Sequence, residues 1–200
     1  MVERLTGHAM YAPVITALFT GVRRGELLAL RWCNVDLDSA DRHIRICEAI
    51  EETMAGIRFK TPKSKSGVRD VSLPDIVVEA LHDHRRRQLE TRFALGLGKP
   101  ADDALVFPDI DGSPQSPHAF TQEWVAVAGK TGVRGITFHA LRHTHASHLI
   151  DAGIDVVKNS RRLGHASPTI TLGTYAHLFS KRDDKSSAAI NAAVASLFSA

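Results

Sequence analysis

Thr137-Phe138-His139-Ala140-Leu141-Arg142-His143-Thr144-His145-Ala146-Ser147 decides the reading of this chain, together with Leu163-Gly164-His165 and Thr174-Tyr175-Ala176-His177 downstream of it. His139 and Arg142 stand three residues apart at the start of a predicted helix, so both face one point. Both donate hydrogen bonds well to an oxyanion. Gly164 is placed to end the preceding helix, which leaves His165 on a tight turn. Tyr175 follows ten residues later on another helix. Each fragment alone has a plain structural reading: a helix start, a cap beside a core histidine, a packing tyrosine. His139, His143, His145 and His148 also raise the question of a metal. Residues 143, 145 and 148 share no helical face, and no carboxylate or thiolate completes the set, so no metal is expected.

Working outward, Thr20-Gly21-Val22-Arg23-Arg24-Gly25-Glu26 places Arg23 at a helix start with Glu26 three residues on. A carboxylate at that spacing can hold a guanidinium in place, and a held arginine suits a phosphate. The stretch from Lys60 through Lys63 and Lys65 to Arg69 reads as a basic hairpin tip between two strands. A lysine there can reach into a cleft and donate a proton. Basic residues crowd again at Arg85 to Arg92 and at Arg161-Arg162. For any one run, a solvated helix or hairpin face is an equal or better explanation.

Between these pieces the pattern is mainly helical. Residues 8–20 suit a buried helix ending near Gly21, and a second helix is expected from Arg24 to Trp32. His43 to Cys47, Gly56 to Phe59 and Val68 to Val71 alternate polar and apolar, predicting a small three-stranded antiparallel sheet. Helices are expected at 75–94, with Ile76, Ala80, Leu81 and His84 inward, and at 117–129, 139–151, 155–162 and 168–178. Gly96 to Pro117 reads as loop, with one apolar run at Leu105 to Phe107. A last helix at 185–198 carries an apolar stripe of Ile190, Val194, Leu197 and Phe198. The fold class is therefore α+β, mostly helical with a small sheet inserted early.

The 200 residues are 44% apolar and 24% charged, ordinary for a globular protein of one domain. No apolar run approaches a bilayer span, and the first residues lack the layout of a signal peptide. Cys33 and Cys47 have no ligand spacing and read as reduced thiols, which fits a cytoplasmic protein. A formal net charge of +3 permits a nucleic-acid partner without demanding one.

Together, TGVRRGELLALRW (20–32), TPKSKSGVRDVSLP (61–74), TFHALRHTHASHLIDAGID (137–155) and RRLGHASPTITLGTYAHLF (161–179) resemble the tyrosine recombinase, or phage integrase, family in order and separation. The resemblance runs from about residue 10 to residue 180 and implies the family's DNA breaking-rejoining catalytic fold. It implies that Tyr175 attacks a DNA phosphodiester to give a 3′-phosphotyrosine. Arg23 and Arg142 would grip the scissile phosphate and Glu26 would support Arg23. His139 would assist proton transfer at the tyrosine, and His165 would hydrogen-bond the phosphate. Lys63, preferred over Lys60 and Lys65 from its spacing to the following strand, would protonate the leaving 5′ oxygen. Lys60, Lys65, Arg69, Arg161 and Arg162 become candidate DNA contacts. No cofactor is implied. Expected partners are double-stranded DNA, further copies of the protein as a tetramer on DNA, and accessory DNA-bending or directionality proteins.

The chain departs from the family at its ends. The first motif lies about twenty residues from Met1, so the family's amino-terminal core-binding domain is expected to be absent from this chain. The catalytic domain is expected over 1–180. Residues 181–200 form a linker and helix that either docks on a neighbouring protomer or folds back on its own domain. The alternatives to a recombinase are a type IB topoisomerase-like nicking-religation enzyme and a non-catalytic DNA-binding remnant of an integrase.

Overall fold

Apolar residues fill most of the first helix, α1 (Tyr11–Thr20), and seven of its residues are buried. A computed structural model of the chain describes residues 2–62, 67–132, 135–178 and 191. In it, α1 lies at the centre, packed against later helices. It stops at Gly21, whose φ of 70° lets its N–H turn back to the Ala17 carbonyl.

The second helix, α2, is shorter than expected, Arg24–Leu28. The chain then turns through a 3-10 segment at Trp32–Asn34. Five strands follow: β1 (Val35–Asp36), β2 (His43–Ile46), β3 (Ala49–Thr53), β4 (Gly56–Lys60) and β5 (Arg69–Ser72). A three-stranded antiparallel sheet is present, but its order is β1-β2-β5. The segment at 56–59 does not join it. It lies in β4, which pairs with β3 as a separate hairpin, Ile50 opposite Phe59 and Glu51 opposite Arg58. Strand β3 carries two adjacent glutamates, Glu51 and Glu52, which spoil the alternation expected of a half-buried strand. The hairpin is held instead by cross-strand ion pairs from Glu51 to Arg58 and Lys60.

Helix α3 (Asp75–Ala94) buries Val77, Val78, Ala80 and Leu81. His84 is half-buried with Nε2 2.6 Å from the Val106 carbonyl. The apolar run Leu105-Val106-Phe107 is indeed inside. Val106 N–H donates to the Leu30 carbonyl, tying this loop to the chain after α2. Four helices complete the described chain: α4 (Pro117–Lys130), α5 (Phe138–Asp151), α6 (Val156–Leu163) and α7 (Pro168–Tyr175), the last continued by a 3-10 turn at Ala176–Leu178. Their starts follow capping rules. Ser116, Thr137 and Asp155 each accept a backbone N–H from the first turn.

The main core centres on Trp124, which meets Phe138 edge-on, as Phe120 also does. A smaller cluster of Ala146, Ile150, Leu163 and Tyr175 joins α5, α6 and α7. Among the described residues no helix is long and apolar enough to cross a membrane. The helix expected at 185–198 and its linker lie outside the described residues, except Asn191.

Candidate active site

Five segments far apart in sequence meet at one cavity of about 670 Å³. Arg23 and Glu26 come from α2, His139 and Arg142 from α5, His165 from the α6–α7 turn, and Tyr175 from the end of α7. The β3–β4 hairpin supplies the opposite wall, with Lys60 and Glu51.

Glu26 is the hub. Its carboxylate accepts the Arg23 backbone N–H at 2.9 Å and Arg23 Nη1 at 2.8 Å, closing the helix start around the arginine. It also takes both terminal nitrogens of Arg69, at 2.8 and 3.2 Å. Burial alone would push the Glu26 pKa up, but the Arg69 hydrogen bond and charge, then Arg23, hold it below the usual carboxylate value. Gly25 lets α2 approach β3: a Cβ there would lie 2.5 Å from the Ile50 carbonyl oxygen.

Arg142 is 3% exposed and spans two loops, donating to the Gly21 carbonyl and, at 2.7 Å, to the Leu163 carbonyl. Burial, then the Arg23 charge, pulls its pKa down to about 9. It remains cationic at neutral pH. Arg23 Nη2 reaches the Gly164 carbonyl at 3.2 Å. Both guanidiniums are thus aimed by the two tight turns. Gly164 ends α6 at φ 67°, and a Cβ there would sit 2.6 Å from Arg69 Nη1. The Leu-Gly-His turn therefore demands glycine twice over, for its φ and for its neighbour.

His165 has Nδ1 2.8 Å from the buried Thr171 hydroxyl. With that hydroxyl donating, Nε2–H is left as the ring's donor. Burial, then Arg142 and Arg23, pushes the His165 pKa down to about 4, so it is neutral at pH 7. His139 stands exposed at the rim, its pKa lowered by burial against the protein and by His143, Arg142 and Arg23.

Tyr175 is 5% exposed, and its hydroxyl lies 2.6 Å from His143 Nδ1. Burial raises its pKa, partly offset by Arg142. In the sequence His143 stands out only within a histidine-rich run that raises the question of a metal. Its placement four residues after His139, on the same helix face, is the signal that locates it here. Thr171 carried no signal in the sequence. Among the described residues, no group of three or more His, Cys, Asp or Glu is placed to hold a metal.

Two of the candidate DNA contacts need correction. The Arg69 side chain is 7% exposed, locked to Glu26 and to the Arg162 carbonyl, so it buttresses the site from inside. Arg162 donates to His145 Nε2 and to the Phe19 and Ser72 carbonyls, clasping three segments together. Arg69 is buried and spends nearly all its donors on the protein, while the half-buried Arg162 commits Nε and Nη2 to structural partners. Arg161 is exposed on α6, and Lys60 is exposed at the cavity edge, 2.7 Å from Glu51. Lys63 and Lys65 lie outside the described residues.

The model of the phage integrase family matches residues 6–182. A tyrosine recombinase XerC-like protein of Caldanaerobacter subterraneus subsp. tengcongensis is 30% identical over 90% of this chain and 48% of its own length. The ICEBs1 integrase of Bacillus subtilis is 30% identical over 82% of this chain and 43% of its own. The chain thus spans about half the length of the curated relatives it matches. Among solved structures, the Tn1549 transposon integrase in complex with a circular intermediate DNA superposes with a TM-score of 0.75 at 21% identity, covering 95% of this chain and 61% of that one. XerA recombinase gives a TM-score of 0.65 at 25% identity, over 85% and 53%. The match spans nearly the whole chain and the shared fold gathers its motifs around one cavity: the protein belongs to the phage integrase family of tyrosine recombinases.

Proposed function

We propose that this chain is the catalytic domain of a site-specific DNA recombinase in which Tyr175 attacks a DNA phosphodiester. The observation that carries this reading is the convergence of the Tyr175 hydroxyl with Arg23, Arg142 and His165 on one cavity. Relatives named as integrases, and a structural neighbour solved with circular intermediate DNA, support double-stranded DNA as the partner.

Attack at phosphorus builds negative charge on the non-bridging oxygens, and catalysis then rests on positioning and electrostatic stabilisation. Arg23 and Arg142 supply two fixed cations, and His165 supplies a neutral N–H. His139, at the rim, assists proton transfer at the tyrosine. Lys63 donates the proton to the leaving 5′ oxygen. Bond energy is kept in the 3′-phosphotyrosine, so a 5′ hydroxyl from another strand can attack it without cofactor or nucleotide. Arg161 and Lys60 add phosphate contacts outside the reacting centre. Domain boundaries at about 180, self-association to a tetramer on DNA, and accessory bending or directionality proteins belong to the same reading.

A nicked duplex that traps the covalent step tests it. Wild-type protein forms a covalent protein–DNA band, Tyr175→Phe forms none while keeping its fold by circular dichroism, and a chelator has no effect. A band that survives Tyr175→Phe sinks the assignment, and loss with chelator restores a metal mechanism.

A further inference from the structure

We propose that His143 is the group that takes the phenolic proton of Tyr175 during attack and returns it when the phosphotyrosine is resolved. This rests on Tyr175 being the nucleophile. Among the described residues, His143 Nδ1 is the one hydrogen-bond partner of the Tyr175 hydroxyl, at 2.6 Å. His139 makes no such bond. Its ring packs edge-on against His143, with centroids 4.7 Å apart. His139 therefore assists from behind, through its packing on His143, while His143 touches the reacting oxygen.

The geometry around the pair favours a transfer over a passive contact. The tyrosine is 5% exposed, and among the described residues its hydroxyl has His143 Nδ1 as a direct acceptor for the proton. The two rings are tilted, with centroids 5.6 Å apart, so the short contact is made by the hydroxyl and not by stacking. α5 presents His143 one turn beyond His139 and next to Arg142, which spans the two tight turns. The acceptor is thus anchored on the same rigid element as a phosphate-gripping arginine.

The step balances as follows. The step starts from the His143 tautomer that carries its proton on Nε2 and leaves Nδ1 as acceptor. The Tyr175 O–H bond breaks and an Nδ1–H bond forms as the phenolic oxygen bonds to phosphorus. The phosphorus–5′ oxygen bond breaks, and that oxygen takes the proton supplied by Lys63 in the proposed function. The imidazolium formed adds a third positive charge beside the phosphate as negative charge builds there. In the reverse direction a 5′ hydroxyl attacks phosphorus, and His143 returns its proton to the departing phenolate.

The test uses the full chain. Nitrogen-15 NMR of histidine-labelled wild type, compared with Tyr175→Phe, reads which ring nitrogen of His143 carries the proton. An unprotonated Nδ1 whose resonance moves in Tyr175→Phe is expected, and a protonated Nδ1 overturns the proposal. Adduct formation is then timed on a pool of nicked duplexes with randomised sequence around the nick. His143→Asn places a hydrogen-bonding atom near the position of Nδ1 but cannot take the proton. The expected loss for His143→Asn and His143→Ala alike is on the order of 10²–10⁴-fold, the range for general acid–base groups. An Asn variant restored to within a few-fold of wild type makes His143 a mere positioning contact and overturns the proposal. Wild type forming no adduct counts against the nucleophile itself; wild type active with both variants undiminished counts against His143 alone.

Discussion

Replacing Glu26 with glutamine removes one charge and leaves the shape almost unchanged. The structure gives the expected cost. Glu26 accepts four hydrogen bonds, two from Arg23 and two from Arg69. The Arg69 side chain is 7% exposed and that of Glu26 8%, so this pair is buried on both sides. The Arg23 side chain is 41% exposed, and its share is largely screened by solvent. Breaking a buried pair by removing one partner costs about 3–5 kcal/mol. Glutamine keeps one acceptor, so Glu26→Gln is expected near the low end, about 3 kcal/mol. For a chain of this size that lowers Tm by roughly 6–12 °C. Urea denaturation and thermal melting at pH 7 measure it. The pH dependence has a definite sign. Arg69 and Arg23 outweigh burial and hold the folded-state pKa of Glu26 below its ordinary 4.5. Its stabilisation is then full above the unfolded pKa and is lost as pH falls through the folded one. The gap between wild type and Glu26→Gln should close in acid. A loss below about 1 kcal/mol, or a gap that widens as pH drops, refutes the reasoning. A second check is the double variant Glu26→Leu with Arg69→Met, which removes both charges and should recover much of the loss.

Further expectations follow from the same geometry. Gly164→Ala must adopt a φ near 67° and place Cβ against the Arg69 guanidinium. The left-handed conformation alone costs about 1–2 kcal/mol, so denaturation should show a larger loss than that, together with reduced adduct formation. His145 is buried, with Nδ1–H directed at the Leu18 carbonyl and Nε2 accepting from Arg162. Burial, then the Arg162 charge, lowers its pKa to about 4. Its folded pKa lies below the ordinary 6.5, so its contribution is complete above that value and is lost as pH falls towards 4. A shift of this size corresponds to about 3 kcal/mol. His145→Asn should flatten the stability profile over that window, and an unchanged slope would remove His145 as its cause.

The legible parts of this molecule were those set by local chemistry. Gly21 and Gly164 announced two helix ends, and both adopt positive φ there. The spacing of Arg23 to Glu26 and of His139 to Arg142 placed each pair on one helix face, and the cavity receives all four. What stayed hidden depends on tertiary pairing. Arg69 sits in a basic run that looks like a solvated hairpin, and nothing local says that its partner is Glu26, 43 positions away. The structural partners of Arg162 are hidden for the same reason, since its acceptors include carbonyls on α1 and β5. The strand at 56–59 is legible, but its partner β3 is not, because the pairing rests on Glu51 facing Arg58 and Lys60 and not on an alternating apolar face. The role of His143 is hidden in the same way, because its partner Tyr175 lies on another helix.

The charge balance of the cavity follows from these pairings and connects them to function. Arg23, Arg69 and Arg142 converge near one carboxylate, Glu26. Arg69 is committed to that carboxylate on both nitrogens, so its charge is largely neutralised. Arg142 has only backbone carbonyls as partners, and its pKa falls to about 9 because burial and Arg23 both work against its charge. A guanidinium held in this state is destabilising unless an anion completes it. Glu26 is already shared, and the other carboxylates lining the cavity, Glu48 and Glu51, are paired with Arg31, Arg58 and Lys60. A phosphodiester placed between Arg23 and Arg142 would supply the missing charge, and a transition state with more negative charge would supply it better. On the proposed mechanism, Glu26 would matter less as a direct participant than as the residue that occupies Arg69 and aims Arg23, leaving Arg142 for the reacting group. On that account, losing Glu26 should depress the rate of adduct formation more than it weakens DNA binding, because the transition state feels the arrangement of charge more than the ground state does.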